Sequence, residues 1–176
     1  MLGITPFGAF HTALALLALI AGVACLLRHG RIALAWRSGR GYVWLTVAAC
    51  VTGLFIFHHG GFGPPHALSL LTLAALVVAA GAERYRWFGR AAAYVSTLTY
   101  SLTFFFHFIP GFTETLTRLP AGRPWASGPE DPKLAAIIGL CFLIYLIGAA
   151  WQVIALRRQA KHSNAAGHEA SGRAIQ

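Results

Sequence analysis

The sequence predicts an all-α, polytopic membrane protein with five transmembrane helices, four of which form a histidine-bearing bundle while the fifth packs alongside. Of the 176 residues, 57% are hydrophobic and only 11% are charged, whereas a soluble domain carries about 25% charged residues. The hydrophobic residues also gather into five runs, each near the roughly 20 residues that cross a bilayer core of about 30 Å. This composition excludes a disordered, a collagen-like or a soluble globular chain.

The five expected spans follow one another with polar connections between them. Their approximate bounds are Thr5–Leu27, Tyr42–His59, Pro65–Ala82, Ala91–Ile109 and Leu134–Leu156. The first run is not expected to be a cleaved signal peptide, because its basic residues follow the apolar stretch instead of preceding it. We therefore expect one transmembrane domain over residues 1–160. Residues 161–176 are polar, lack an apolar face and are predicted to be a disordered cytoplasmic tail.

The basic residues indicate the orientation. The net charge is +9, but the cations lie in short blocks between apolar runs and not in a patch with interleaved aromatics, so nucleic-acid binding is not expected. Eleven of the fourteen Lys and Arg residues fall after the first span, after the third span or in the tail. By the positive-inside rule, the N-terminus lies outside and the C-terminus lies in the cytoplasm of a bacterium, with the protein in its inner membrane.

Five of the eight histidines fall at the predicted outer ends of four spans. They are His11, His58, His59, His66 and His107. Antiparallel packing brings these positions to one depth, and histidines inside a membrane usually mark a functional site. We therefore predict an outer-side cluster in which His11, His59, His66 and His107 bind a cofactor, with His58 as a further candidate metal ligand.

Helical spacing indicates which faces turn inward. In the fourth span, Ser96, Tyr100, Thr103 and His107 form one polar stripe at four-, three- and four-residue intervals, which is not expected to face lipid. In the first span, His11 lies above a stripe of small residues. These are Ala15, Ala18 and Gly22, and they allow either another helix or a flat cofactor to approach closely.

Two cofactor chemistries use several neutral imidazoles at one depth. Copper or zinc takes three or four such ligands, whereas haem b takes two histidines from facing helices and an aromatic pocket. Ten of the twelve phenylalanines lie in the outer half or its loops, which favours haem slightly. Arg118 and Arg123 in the outer loop could serve haem propionates. Either cofactor implies redox chemistry or metal handling.

A cofactor-free accessory or assembly subunit of a larger membrane complex is the alternative. Small-residue faces, including Gly139 and Gly148, would then serve helix packing. Glu83 is interpreted as a packing or solvated loop charge beside Arg84 and Arg86. A quinone near Tyr100 and His107 is a further partner that the sequence leaves open. The sequence shows no carboxylate pair, Ser-His-Asp arrangement or phosphate-binding glycine loop, so catalytic residues and enzymatic activity are not assigned.

Short motifs resemble a family of small bacterial membrane proteins of unknown function. The segment Gly63-Pro64-Pro65-His66-Ala67-Leu68-Ser69 is similar to the Ser-Pro-Ile-His-Leu-Leu-Ser motif that opens the third helix in that family. The resemblance covers residues 7 to about 110. It implies that His11, His58 or His59, and His66 match the family's outer histidines.

Two family motifs are incomplete in this chain. The family usually has His-Arg-x-Leu-Gly before helix 2, where this chain has Trp36-Arg37-Ser38-Gly39. It has His-Arg-x-x-Met before helix 4, where this chain has Arg84-Tyr85-Arg86-Trp87. Because both inner histidines are missing, a second cofactor site on the inner side is not predicted.

Overall fold

The computed structural model describes residues 5–57 and 61–173, with side chains as far as His162. Six α-helices make up the described fold, and no strand occurs in these ranges. They are α1 (Pro6–His29), α2 (Arg37–Gly53), α3 (Pro64–Tyr85), α4 (Ala92–Phe106), α5 (Phe108–Leu116) and α6 (Pro132–Arg173). A 3₁₀ turn, Gly89–Ala91, leads into α4. The all-α prediction is confirmed for the described residues.

Helix boundaries follow from local chemistry. Thr5 caps α1, because its side chain accepts a hydrogen bond from the Gly8 amide at 3.0 Å and Pro6 fits the first helical position. Gly30 ends the helix with φ +71°, a left-handed conformation that favours glycine. Pro64 and Pro65 begin α3 in the same way that Pro6 begins α1.

Four helical segments are long and apolar enough to cross a membrane. They are Pro6–His29, Pro64–Tyr85, Gly89–Leu116 and Pro132–His162. The expected second span is not among them, because α2 has only 17 residues, about 26 Å at 1.5 Å per residue. It also begins at Arg37 and ends at Gly53, six residues before the expected end at His59.

The fourth expected span differs in a second way. The helix is interrupted at His107, and α5 occupies the start of a segment that we expected to be a loop. Pro110 explains the interruption, because proline has no amide hydrogen for the carbonyl four residues earlier, which is that of Phe106. At the other end of the chain, α6 continues past Lys161, where we expected the tail to begin. The predicted boundary between the transmembrane domain and the tail, at residue 160, stays a prediction.

The core lies among α1, α2, α3 and α4. Its fully buried members include Ala18, Tyr42, Ala79 and Tyr100. α1 packs on α2, α3 on α4, and α6 packs against α4 from outside this group. Large apolar side chains are exposed along the periphery, among them Ile20, Leu27, Ile144, Ile147 and Trp151.

Candidate functional site

The polar stripe of α4 faces α2 in the interior. Ser96, Tyr100 and Thr103 are all buried, as their spacing predicts. The Tyr42 hydroxyl lies 2.8 Å from the Thr103 hydroxyl. Because Thr103 already donates its hydrogen to the Tyr100 carbonyl at 2.8 Å, Tyr42 is the donor in this pair. The stripe therefore joins two helices through directed hydrogen bonds.

His107 lies one level further out on the same stripe. Its Nε2 atom is 3.1 Å from the Thr46 hydroxyl of α2, and the edge of the Tyr42 ring packs against the imidazole with centroids 6.0 Å apart. Thr46 is fully buried. One ring nitrogen of His107 is thus held by α2, while Nδ1 has no hydrogen bond to any residue that the structure describes.

His11 is held by α2 in a related way. Its Nδ1 atom is 3.0 Å from the Thr52 hydroxyl. Thr52 donates its single hydrogen to the backbone carbonyls of Ala48 and Ala49, at 2.8 and 3.0 Å, so its oxygen acts as the acceptor for His11. His11 therefore carries its proton on Nδ1 and presents an unprotonated Nε2.

Gly53 brings the His11 ring close to α3. A Cβ atom on Gly53 would lie 3.1 Å from the His11 Cε1 atom and 3.3 Å from the Ser69 Oγ atom. The imidazole and the first turns of α3 therefore approach the same glycine from two sides. A larger residue at position 53 would push them apart.

His66 is 5% exposed and lies at the start of α3. Its Nδ1 atom accepts a hydrogen bond from the Gly63 amide at 3.2 Å, so the proton of a neutral ring lies on Nε2. That Nε2 atom is buried and has no hydrogen-bond partner among the described residues. The rings of Phe57 and Phe62 pack on the imidazole at centroid distances of 4.9 and 5.2 Å.

The predicted cluster is thus described in part. His11 and His107 are both hydrogen-bonded to α2. His66 is placed one turn before Ser69, which borders His11. His58 and His59 lie outside the described residues. Within residues 5–57 and 61–162, no three His, Cys, Asp or Glu side chains converge as a metal site would require.

The small-residue stripe of α1 is occupied by side chains of other helices. A Cβ atom on Gly22 would lie 2.7 Å from the Phe104 ring and 3.0 Å from the Tyr42 ring. Of the two alternatives that the sequence left open, the structure therefore shows close packing against other helices at this position.

Sequence reasoning missed Glu114 and interpreted Glu83 as a packing or solvated loop charge. Glu114 of α5 forms an ion pair with Arg118. At the opposite end of the bundle, a Glu83 carboxylate oxygen accepts a hydrogen bond from the Leu34 amide at 3.0 Å. The sequence could have singled out Glu83, because acidic residues are rare in this chain, which has only five of them.

No family model matches the chain, and neither a curated protein nor a solved structure matches it. The family resemblance described above stays a prediction that rests on its motif residues.

Proposed function

We propose that this chain is an integral protein of a bacterial inner membrane and that its outer-side histidines bind a transition metal or a haem for redox chemistry or metal handling. The peripheral apolar side chains support membrane insertion, because a bilayer solvates such a surface and water does not. The concentration of arginines at one end supports an outside N-terminus.

We also propose that α2 is a fifth span. It packs against α1 and α3, and Tyr42 joins it to Thr103 of α4, so its buried polar residues Tyr42 and Thr46 face neighbouring helices and not lipid. The turn after Gly53 continues the chain outward through hydrogen bonds from Phe55 to Thr52 and from Ile56 to Gly53, both 3.1 Å. Together, α2 and this turn are long enough to cross the hydrocarbon core of roughly 30 Å.

The cofactor proposal rests mainly on which ring nitrogen of His11 carries the proton. In metal-binding histidines, the ring nitrogen that is not a ligand usually donates to an oxygen that fixes the ring. His11 has this arrangement through Thr52, and His107 has one nitrogen held by Thr46. These two side chains are therefore the best supported ligands, with His59 as the third histidine in the cluster predicted from the sequence.

Three observations favour an ion over a haem. At Gly22, the last position of the stripe below His11, Phe104 and Tyr42 occupy the space that a macrocycle would need. Arg118, one of the two residues predicted for propionates, is paired with Glu114. His66 would ligate through Nε2 only after its hydrogen bond from Gly63 is lost, since that bond keeps the proton on Nε2. We therefore favour copper or zinc, with haem b as the second possibility.

Spectroscopy and elemental analysis of the detergent-purified protein test this proposal. Bound copper or zinc supports the ion, a Soret band supports haem, and the absence of both contradicts the cofactor proposal. We expect His11→Ala and His66→Ala to lower cofactor content sharply. His29→Ala and His162→Ala, which change histidines away from the cluster, are matched controls and should leave it unchanged. Equal content in all four variants would also contradict the proposal.

Cysteine labelling tests the orientation independently. Gly61→Cys and Ser127→Cys lie in the predicted outer loops and should react with a membrane-impermeant reagent added outside intact cells. A native-cysteine-free background is needed, because Cys141 is partly accessible. If either cysteine is labelled only when the reagent can reach the cytoplasmic face, the orientation is the reverse of the one proposed.

One observation favours the alternative of a cofactor-free subunit. Gly139 and Gly148 of α6 have no described atom within 4 Å of the position where a Cβ would lie, so these small-residue positions are free for a partner helix. Purification at native expression separates the two proposals. A stable monomer with bound metal supports the first, and a metal-free complex with other subunits supports the second.

A further inference from the structure

A cavity of about 170 Å³ lies at the arginine-rich end of the bundle, opposite the histidines. It is half open and is bordered by the connection between α1 and α2, the end of α3 and the start of α4. Its polar lining consists of Arg31, Glu83, Arg86, Ser96 and Thr97, with Trp36 as the aromatic member. A cavity of about 150 Å³ holds one benzene molecule, so this one has room for a small polar group but not for a nucleotide.

Arg31 is held by an aromatic contact, and the backbone of Arg86 has an unusual conformation at the cavity wall. The Arg31 guanidinium lies 5.7 Å from the centroid of the Trp36 ring, a cation–π distance. Trp36 is itself stacked on His29, with ring centroids 4.0 Å apart. Arg86 has a left-handed backbone with φ +53°, which is unfavourable for a residue with a side chain.

The packing of Trp87 explains the conformation of Arg86. A Cβ atom on Gly81 would lie 2.2 Å from the Trp87 ring, so the ring packs directly on the backbone of α3. The chain must reverse at Arg86 to bring Trp87 back to that glycine. This reversal places Arg86 in the cavity wall.

Glu83 supplies the negative charge of the same cavity. One of its oxygens accepts a hydrogen bond from the Leu34 amide, and a carboxylate has lone pairs for further donors. A second hollow of about 230 Å³ is lined by Leu34, Ala35, Glu83 and Arg84. Glu83 thus borders both spaces.

The Tyr100 hydroxyl provides an independent sign of a ligand. It is buried and has no hydrogen-bond partner among the described residues. Tyr100 lies one turn beyond Ser96 and Thr97, and helical side chains lean toward the helix N-terminus, which is the cavity side. A buried hydroxyl without a partner is costly, and a ligand group that extended inward from the cavity, past Ser96 and Thr97, would satisfy it.

We propose that this cavity binds the headgroup of a phospholipid that carries a primary amine, with the phosphate at Arg31 and Arg86 and the ammonium at Glu83. Two guanidinium groups bind phosphate well, but the carboxylate would repel a purely anionic headgroup. A zwitterionic headgroup satisfies both charges. Basic pockets between helices at the cytoplasmic side are known lipid-headgroup sites. This proposal does not depend on the outer histidine site.

Lipid titration of the delipidated, detergent-purified protein, followed by native mass spectrometry, tests the proposal. We expect one phosphatidylethanolamine to bind per chain, about tenfold more tightly than phosphatidylcholine, because the trimethylammonium of phosphatidylcholine cannot donate hydrogen bonds to Glu83. Free phosphoethanolamine should compete much more weakly, since it lacks acyl chains. Equal binding of the two lipids, or equally tight binding of free phosphoethanolamine, would overturn the proposal.

Substitutions in the cavity wall test whether the lipid binds in this cavity. Glu83→Gln keeps an acceptor for the Leu34 amide and should remove most of the preference for phosphatidylethanolamine. Tyr100→Phe should weaken binding without lowering the thermal stability of the lipid-free protein, because the hydroxyl has no partner to lose. Arg86→Gln should weaken binding, whereas Arg90→Gln, at the same end but outside the cavity, is the matched control. An unchanged lipid preference in Glu83→Gln, together with unchanged affinity in Tyr100→Phe, would place the lipid elsewhere and overturn the proposal.

Discussion

The hydroxyl of Tyr42 on α2 donates a 2.8 Å hydrogen bond to the hydroxyl of Thr103 on α4, and both side chains are fully buried. The direction is set by Thr103, whose own hydrogen is used by the Tyr100 carbonyl. In an apolar bundle, neither group has water as an alternative partner. This pair therefore fixes the relative position of two helices that also carry, one level further out, the contact between Thr46 and His107.

A double-mutant cycle should detect this hydrogen bond. We expect Tyr42→Phe and Thr103→Val each to lower the free energy of unfolding in detergent micelles, with a coupling energy of about 0.6 kcal/mol and at most about 1.7 kcal/mol, the range for interhelical hydrogen bonds in membranes. Denaturant-dependent unfolding of the two single variants and the double variant measures it. Additive effects would show that the two hydroxyls do not interact.

Gly22 should tolerate alanine poorly. The added methyl group would lie 2.7 Å from the Phe104 ring and 3.0 Å from the Tyr42 ring, so one of the packed helices must move. Overpacking of this kind costs about 1 to 3 kcal/mol, which should lower the thermal unfolding midpoint.

Gly148→Ala is the control for Gly22→Ala. It makes the same change in α6, where no described atom lies within 4 Å of the new methyl group. Alanine is the better helix former by about 1 kcal/mol, so this variant should unfold at the same temperature or a higher one. Combining Gly22→Ala with Phe104→Leu should restore part of the lost stability. Equal midpoints for the two alanine variants would mean that Gly22 is not closely packed.

Residue spacing predicted much of the bundle but not its interruptions. The stripe from Ser96 to His107 turns inward as its intervals predict, because a helix repeats every 3.6 residues whatever its neighbours are. Hydrophobicity alone placed the end of the second helix too late and continued the fourth span past the break at His107. Pro110 was the available signal for the second error, since its missing amide interrupts a helix locally.

Glu83 shows what the sequence could not reveal. Its arginine neighbours in the chain suggested a packing or solvated loop charge, and nothing in the sequence indicated that its partner is the amide of Leu34, 49 positions away. The protonation states of His11 and His66 likewise depend on Thr52 and Gly63. Spacing placed both histidines at one end of the bundle. Only the positions of the hydrogen-bond partners determine which ring nitrogen carries the proton.

Asp131 should titrate below its ordinary range. The Ser127 and Lys133 amides donate to its carboxylate at 2.8 and 2.9 Å, and these hydrogen bonds lower the pKa of Asp131 from 3.8. A lowered pKa in the folded state means that the carboxylate stabilises this turn above pH 3.8, and that the contribution is lost as the pH falls through the lowered value.

NMR can follow this titration through the Ser127 and Lys133 amides. Their chemical shifts should change with a common midpoint below pH 3.8. In Asp131→Asn the pH-dependent change should disappear, because the amide side chain cannot ionise. A midpoint at or above 3.8 in the wild-type protein would contradict the hydrogen-bonded turn at the start of α6.

His11 and His66 should carry their protons on opposite ring nitrogens. The hydroxyl hydrogen of Thr52 is used by backbone carbonyls, so His11 must donate from Nδ1. The amide of Gly63 donates to His66, so Nδ1 of that ring must be unprotonated. The ¹⁵N shifts of metal-free, histidine-labelled protein at a pH where both rings are neutral distinguish the two forms. We expect Thr52→Val to remove the preference at His11 and leave His66 unchanged, which makes each histidine the control for the other. If both rings show the same protonated nitrogen in the wild-type protein, the assignment of Nε2 of His11 as the free ligand atom is wrong, and the metal proposal loses its main support.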